Sequence, residues 1–504
     1  MLRDITKILL IVALLGVSAL VGLSLYELKD YAKEEVKENK EEEIKYIYND
    51  ESYKYGFNLP LVVINTYGEE IESKPQKSHI QIYDNEKGDN YISDVATLAV
   101  EAYINVRGNT TKYFPKKQYN IELITSSGNE KEEYLLSMEK DSKWILNGPF
   151  ADKSLMRNYI VYKVGRNIME YAPDVRYCEV FVVDDESDTL QKRHYKGVYI
   201  LLEKISRSKD RVDIIKSQDN IDDTSFIISK DRNKSGDTTI NSYGYETYIY
   251  DYAININYPG SNKLTQGKYE FISRYINEFE RVLYSDKFND INDGYRKYID
   301  VDSFVDFYII NEFFYNTDAG ILSTYFHKNY NDKLKAGPIW DFNRSIGNTS
   351  RTVGQPYQVE GFFMNQRSWF DRLLEDQFFS DRVIDRYKML RRTYLSDKYL
   401  ISLIDETVLY LGDAVDRNMK TWPIYMLNQA DLFKEYDEYF KPYENDPQKL
   451  DKFMNTQDII NLYLDTDGLA LSYEEEIEFM KKYIIDRGKW IDNNIESLKK
   501  WSMY

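Results

Sequence analysis

The chain is poor in the residues that build disulfide frameworks and soft metal sites. Its 504 residues include one cysteine, Cys178, and three scattered histidines. A single cysteine excludes an intramolecular disulfide, and neither cysteines nor clustered histidines are available for a zinc site. Acid–base or metal chemistry must therefore come from carboxylates and from hard cations that prefer oxygen ligands.

Acidic residues outnumber basic residues, 84 to 66, and give the chain a net charge of −18. A general nucleic-acid-binding protein needs a basic surface that displaces counterions from phosphate, so the composition argues against that class of partner. The glycine-rich nucleotide patterns GxxxxGK[ST] and GxGxxG are absent as well. A local basic pocket inside an acidic protein remains compatible with these numbers.

Apolar residues are plentiful, and one run of them stands at the N-terminus. Hydrophobic residues make up 42% of the chain, enough for one large domain or two to three ordinary ones. Ile8 to Tyr26 is a run of 19 uncharged, mostly apolar residues, which predicts a membrane-spanning helix. A cleaved signal segment is the alternative. The weak asymmetry of the flanking basic residues favours a cytoplasmic N-terminus, with the body of the protein extracytoplasmic or spore-associated.

The remaining chain changes from strand-like to helical patterns near its middle. Lys116 to Leu123 alternates, with Tyr119, Ile121 and Leu123 on one face, whereas the second half carries amphipathic helical runs. We predict an anchor or signal segment over 1–30, a charged stalk over 31–57 and one domain over 58–504. Within that domain we expect an N-terminal lobe over about 58–205, a loop-rich insertion over 206–264 and a C-terminal lobe over 265–504.

Two aspartates flank a predicted β hairpin in the second half. Asp318 follows a helix, and Asp341 follows two short strands joined by an asparagine-rich turn at Asn329 to Asp332. A hairpin returns the chain to its starting point, so the two carboxylates can meet. Phosphoryl transfer needs such a pair, one to orient the attacking hydroxyl and one to hold a divalent metal ion. Taken alone, Asp318 is more typical of a helix-end or turn residue.

The basic candidates lie far upstream, on a strand–turn–strand segment. Arg107 ends one strand, and Lys116 and Lys117 open the next. Such a turn with a glycine near its tip can arch over phosphates, and a lysine on the returning strand offers a point charge. Two lysines on a strand are otherwise typical of a solvated face. Arg157, on a predicted helix over Ser154 to Glu170, either reaches phosphate or pairs with an acid.

Several segments in combination resemble the CotH family, which comprises spore-coat CotH proteins and their secreted or surface relatives. They are INVRGNTTKYFPKKQYNIEL, WILNGPFADKSLMRNYIVYKVG, VFVVDDESDTLQKRHYKGVYILLEKI, NEFFYNTDAG and KAGPIWDFNRSIGN, in that order. The resemblance covers roughly Leu59 to Met503. It implies an α+β, divergent protein-kinase-like fold with a β-rich N-terminal lobe and a helical C-terminal lobe.

The resemblance also implies ATP-dependent phosphorylation of a protein, chiefly on serine. Asp318 matches the catalytic acid and Asp341 the metal-binding acid. Lys116 or, by preference, Lys117 matches the phosphate-contacting lysine. The remaining implied nucleotide contacts are Arg107, near the phosphates, and Glu203, on the strand that leads to the adenine pocket.

Two positions depart from the family pattern. Asn343 replaces the second aspartate of a WDxD motif, and Ser323 stands where the family often has a metal-binding asparagine. Both changes weaken a site for Mg²⁺ or Mn²⁺, with Asn343 still able to ligate through its amide oxygen. We expect a monomeric, membrane-anchored kinase that acts on serine or threonine of envelope or spore-coat proteins. The alternative is a weakened or inactive assembly protein of the spore coat or cell surface.

Overall fold

The computed structural model describes residues 47–48, 56–85, 88–109, 111–219, 222–232, 236–247, 253–348, 358–422 and 472–502. The described strands are β1 (Ile47–Tyr48), β2 (Leu61–Asn65), β3 (Gln76–Tyr83), β4 (Leu98–Arg107), β5 (Gln118–Ile124), β6 (Glu133–Leu135), β7 (Met138–Asp141), β8 (Lys143–Asn147), β9 (Val175–Val183), β10 (Thr189–Leu190), β11 (Tyr195–Glu203), β12 (Phe226–Lys230), β13 (Thr239–Ile240), β14 (Ile254–Tyr258), β15 (Thr324–Lys328) and β16 (Leu334–Ala336). The described α-helices are α1 (Arg157–Gly165), α2 (Tyr243–Thr247), α3 (Gln266–Leu283), α4 (Val301–Phe314), α5 (Ser368–Leu374), α6 (Gln377–Arg391), α7 (Asp397–Leu411), α8 (Ala414–Thr421) and α9 (Tyr473–Asn494).

Seven strands of the N-terminal half close into a barrel. Their order around the barrel is β11–β8–β5–β4–β3–β2–β9, and β9 pairs with β11 to close it. Neighbouring strands are antiparallel except β2 and β9, which run parallel with Leu61 opposite Glu179. Closure leaves these strands no free edge, and a free edge would be a site for unwanted strand pairing.

The barrel is filled by alternate side chains of its strands. Tyr119, Ile121 and Leu123 of β5 belong to one buried cluster, which confirms the predicted alternation of this strand. Trp144 of β8 is the largest side chain in that cluster and is fully buried. Each such apolar side chain contributes about 1.5–3 kcal/mol relative to an exposed one.

A second sheet connects the barrel to the helices. Its strand order is β13–β14–β12–β15–β16. Strands β15 and β16 form the hairpin that the sequence predicts between the two aspartates. The segment 206–264, which the sequence analysis treats as a loop-rich insertion, supplies β12, β13 and β14. All five side chains of β12 are buried, because the strand pairs with β14 and β15 on its two edges and is covered on both faces.

The helices pack around α4, which carries ten buried residues of its fourteen. Asp300 caps its first turn, accepting a hydrogen bond from the Ser303 N–H at 2.8 Å. The helix ends at Tyr315, which has a left-handed backbone with φ of 53°. This abrupt end starts the turn that carries Asp318.

The predicted fold class is wrong. The sequence predicts an α+β, divergent protein-kinase-like fold with a β-rich N-terminal lobe and a helical C-terminal lobe, whereas the structure is a mixed α/β arrangement with a closed seven-stranded barrel. The physical reason is the parallel pairing of β2 with β9. Alternation within a strand reveals which face is buried, but it does not reveal a partner more than a hundred residues away.

The predicted membrane anchor is corrected as well. In the part of the chain that the structure describes, no helix is long and apolar enough to cross a membrane. The apolar run from Ile8 to Tyr26 lies outside the described residues. A membrane-anchored localisation is therefore not supported.

The docking of α8 on the barrel provides a stability test. The Arg417 Nε and Nη2 donate to the carboxylate of Glu179, a fully buried side chain of β9, at 2.8 and 2.6 Å. We expect Arg417→Leu to lower the free energy of unfolding by about 3 kcal/mol, because it leaves a buried carboxylate without its partner. Urea unfolding followed by tryptophan fluorescence measures this change.

The matched control removes an arginine from an exposed ion pair. Arg193 pairs with Asp185 at the surface, so Arg193→Leu should change the unfolding free energy by less than about 0.5 kcal/mol. Adding Glu179→Gln to Arg417→Leu should restore part of the loss. Equal effects of the two arginine substitutions would contradict the assigned role of the α8 contact.

Candidate active site

The β15–β16 hairpin brings its two flanking aspartates to one cleft. Asp318 lies in the turn after α4, and Asp341 lies five residues after the end of β16. Both line a cleft between the barrel and the second sheet, together with Arg107 and Asn343. The hairpin therefore places both predicted carboxylates in a cleft that residues of the barrel also line.

The backbone around Asp341 is held by two side chains of α1. The Asp341 N–H donates to the Tyr162 hydroxyl at 3.1 Å, and the Phe342 N–H donates to the Asn158 Oδ1 at 2.6 Å. Asp341 has a φ of 59°, in the left-handed region that aspartate and asparagine tolerate better than most residues. These bonds fix the carboxylate in place at the cost of backbone strain, as is common at functional sites.

The electrostatic setting of Asp341 disfavours its charged form. Withdrawal of the carboxylate from water, and next the negative charge of Asp318, raise the pKa of Asp341 to about 6. Arg107 acts in the opposite direction, followed by smaller effects of Asp231, which raises the pKa, and Arg344, which lowers it. A bound cation would relieve this repulsion, so the site favours binding positive charge.

Arg107 also lines the cleft, where β4 ends. Its guanidinium stands over the Trp340 ring, 5.7 Å from the centroid, and donates to Gln118 at 3.1 Å. The next residue, Gly108, has a φ of 107°, and a Cβ there would lie 1.9 Å from the Thr111 Oγ1. Glycine is therefore required at this turn, and the backbone can approach a ligand closely.

The sequence profile of the CotH kinase protein family matches residues 104–491. The chain belongs to the CotH family. The match begins within β4, so β2 and β3 of the barrel precede it, whereas all the site residues named above fall inside it. No curated protein matches the chain.

The donor set at the CotH cleft fits a single hard cation. Within the described residues, no group of three or more His, Cys, Asp or Glu side chains is arranged to hold a metal ion. The cleft instead offers the carboxylates of Asp231, Asp318 and Asp341, the amide of Asn343 and the hydroxyl of Ser323. Mg²⁺ is often bound through one or two carboxylates, with substrate phosphates and water as its other ligands.

The two predicted lysines are not among the residues that line the cleft. The Lys116 Nζ donates to the Val198 carbonyl at 2.6 Å and to the Asn418 Oδ1 at 2.8 Å. Burial holds the pKa of Lys116 well below its usual range. The Lys117 Nζ donates to the Lys112 carbonyl at 2.8 Å. Their contact with a nucleotide remains a prediction.

Arg157 and Glu203 are also engaged elsewhere. The Arg157 guanidinium is fully buried between Asp152, at 2.6 Å, and Glu476, at 2.7 Å. Glu203 accepts hydrogen bonds from the Tyr171 hydroxyl at 3.0 Å and from the Asp174 N–H at 2.9 Å. Burial raises the pKa of Glu203. Neither side chain is among those that line the cleft, so their predicted nucleotide contacts also remain predictions.

Several residues of the cleft were not predicted from the sequence, and four of them show why. Asp231 and Arg232 follow β12, and Asn158 and Tyr162 lie on α1. The aspartate could have been found from its position directly after a run of buried β residues, FIISK. No comparable sequence pattern points to Asn158 and Tyr162, because their role depends on the Asp341 loop that packs against α1.

The raised pKa of Asp341 predicts that its charge destabilises the metal-free fold. The folded pKa lies above the unfolded value, so the penalty is fully present above pH 6 and disappears below about pH 4. We expect Asp341→Asn to raise the free energy of unfolding by about 1 kcal/mol at pH 8, discounted for partial exposure. Asparagine suits this test because it also tolerates a positive φ.

Urea unfolding in the presence of a chelator, at pH 8 and at pH 4, measures the effect. The difference between Asp341→Asn and the natural chain should shrink at the lower pH. Asp332→Asn, in the exposed turn of the same hairpin, is the control and should show no such dependence. A less stable Asp341→Asn at pH 8 would contradict the assigned repulsion.

Proposed function

We propose that this CotH-family protein transfers the γ-phosphate of ATP to serine or threonine of a spore-coat or envelope protein. The observation that carries the proposal is the placement of Asp318 and Asp341 in one cleft that Arg107 also lines. Family membership supports the same chemistry. Phosphoryl transfer depends mainly on positioning and on electrostatic stabilisation, which these three charges can supply.

Each side chain has a distinct proposed task. Asp318 orients the attacking hydroxyl and accepts its proton as the new O–P bond forms and the bond to the ADP oxygen breaks. Asp341 and Asn343 would hold Mg²⁺ or Mn²⁺, which supplies charge neutralisation for the phosphate oxygens. Arg107, held between Trp340 and Gln118, faces the same space and would offset phosphate charge.

The neutral residues of the site favour a second candidate function. Asn343 and Ser323 line the cleft where a further carboxylate and an amide would bind metal more strongly. A site with weakened metal affinity is compatible with an assembly protein of the spore coat or cell surface whose catalytic activity is low or lost. Metal-dependent transfer distinguishes the two functions.

The test is a phosphate-transfer assay with labelled ATP on the full chain, with Mg²⁺ and with Mn²⁺. We expect Asp318→Asn and Asp341→Asn each to lower metal-dependent transfer at least about 100-fold, since each removes a charge or proton acceptor from the reacting centre. Asp332→Asn, in the turn of the same hairpin, should retain full transfer. Transfer that survives both cleft substitutions would contradict the proposed roles, and no transfer or ATP binding would favour the assembly function.

Asn343→Asp tests the departure from the family pattern. A second charge beside Asp341 should tighten Mn²⁺ binding about tenfold, equivalent to about 1.4 kcal/mol, if residue 343 is a ligand. Isothermal titration with Mn²⁺ measures the dissociation constant. Asn331→Asp makes the same chemical change in the exposed hairpin turn and should leave it unchanged. Equal affinities for the two variants would exclude Asn343 as a ligand.

A further inference from the structure

Helix α9 carries two fully buried charged side chains, Glu476 and Arg487. They are separated by about three helical turns, so they lie on the same face of the helix. Burying a charge is costly, and an apolar pair of similar volume often stabilises a fold equally well. These two charges therefore call for an explanation other than stability.

The Glu476 end of α9 holds the loop that follows Asp341. Glu476 Oε1 lies 2.7 Å from the Arg157 Nη2. The Arg157 Nε donates to the carbonyls of Ser345, at 3.1 Å, and Ile346, at 3.3 Å. Together with Asp152, which lies 2.6 Å from the Arg157 Nη1, Glu476 neutralises an arginine that also donates to the backbone four and five residues after Asp341.

The Arg487 end holds a different segment. Its guanidinium is paired with Glu312 of α4 and donates to the carbonyls of Val359, at 2.6 Å, and Gly361, at 2.8 Å. The Glu312 carboxylate also accepts hydrogen bonds from the N–H groups of Phe363, at 2.9 Å, and Met364, at 2.7 Å. This cluster ties α9, α4 and the segment 359–364 together.

The segment 359–364 continues into a residue that contacts the turn carrying Asp318. Three residues further on, the Arg367 Nη2 donates to the Thr317 carbonyl at 3.2 Å, directly beside the aspartate. A Cβ at Gly320 would lie 2.7 Å from the Arg367 Cβ, so the two backbones are in close contact. The order of the Asp318 turn therefore depends on a segment that Arg487 anchors.

The middle of α9 rests on the same loops. A Cβ at Gly347 would lie 2.8 Å from the rings of Phe479 and Tyr483, and the Tyr483 hydroxyl donates to the Gln358 carbonyl at 2.7 Å. The loop and α4 are linked directly, because the Ile346 N–H donates to the Phe314 carbonyl at 2.8 Å. One helix face thus contacts the loop after Asp341 directly and is connected to the Asp318 turn through α4 and the segment that begins at Gln358.

We propose that α9 is a positioning helix for the two carboxylates. Glu476 acts through Arg157 on the Asp341 loop, and Arg487 acts through Glu312 and Arg367 on the Asp318 turn. The inference rests on the proposed function for its kinetic consequences, whereas its structural consequences are independent of it. Because the two ends serve different aspartates, damage to each end should alter a different property of the site.

The experiment compares Glu476→Gln and Arg487→Lys in the full chain. Glu476→Gln removes the charge opposite Arg157, and Arg487→Lys keeps the charge but loses the planar fork that serves several acceptors. Lys481→Gln is the matched control, because Lys481 joins α9 to Asp405 of α7, at 2.7 Å, away from both loops. Thermal unfolding establishes that all three variants are folded.

The two substitutions are expected to affect different readouts, the Mn²⁺ dissociation constant in one case and kcat in the other. Glu476→Gln should raise the Mn²⁺ dissociation constant about tenfold, since it loosens Asp341, and Arg487→Lys should lower kcat about tenfold with that constant unchanged. Amide hydrogen exchange should accelerate at 341–348 in the first variant and at 316–322 in the second. Lys481→Gln should change neither.

Parallel changes of both readouts in the two variants would overturn the proposal, as would exchange rates equal to those of Lys481→Gln. Such results would mean that the buried charges act only on overall stability. If the natural chain transfers no phosphate, the proposed function fails. The exchange measurements then still decide whether α9 orders the two loops.

Discussion

The repulsion between Asp318 and Asp341 is the constraint around which the rest of the site is arranged. Asp318 and Asp341 line one cleft, and withdrawal of the Asp341 carboxylate from water, together with the charge of Asp318, raises the pKa of Asp341 to about 6. A fold relaxes such a repulsion by letting one side chain move away, unless the backbone is held. Here the backbone around Asp341 is held by buried polar side chains, among them Asn158 and Arg157 of α1.

The holding groups come from distant parts of the chain. Helix α1 supplies the Tyr162 hydroxyl and the Asn158 amide to the loop of Asp341. Helix α9 supplies Glu476 and Arg487, whose ion pairs are buried. Buried ion pairs are weak evidence for stability, but they fix geometry because each partner has few alternative positions. The strain of a positive φ at Asp341 is maintained in the same way.

The charge balance of the cleft is consistent with a weakly bound metal ion. Asn343 and Ser323 contribute oxygen donors without charge, and Arg107 lines the same cleft as the carboxylates. A site of this kind depends on phosphate oxygens to complete the coordination of a cation, so the metal and the nucleotide would bind together. The same features explain why catalysis and assembly are both chemically reasonable functions for a CotH-family chain.

The sequence by itself determined the local features: the strand alternation of β5, the hairpin between the aspartates, and the family. These depend on residues close together along the chain, or on motifs in a fixed order. Partnerships across long separations were decided only by the tertiary structure. The barrel closes through the pairing of β2 with β9, and β12 with Asp231 proved to be central to a sheet. Arg157 is a clear case, because its sequence neighbours allow either a phosphate or an acid as partner. The structure decides for acids: Asp152, five residues earlier, and Glu476, more than three hundred residues later, both pair with the guanidinium, because folding buries it where its charge must be neutralised.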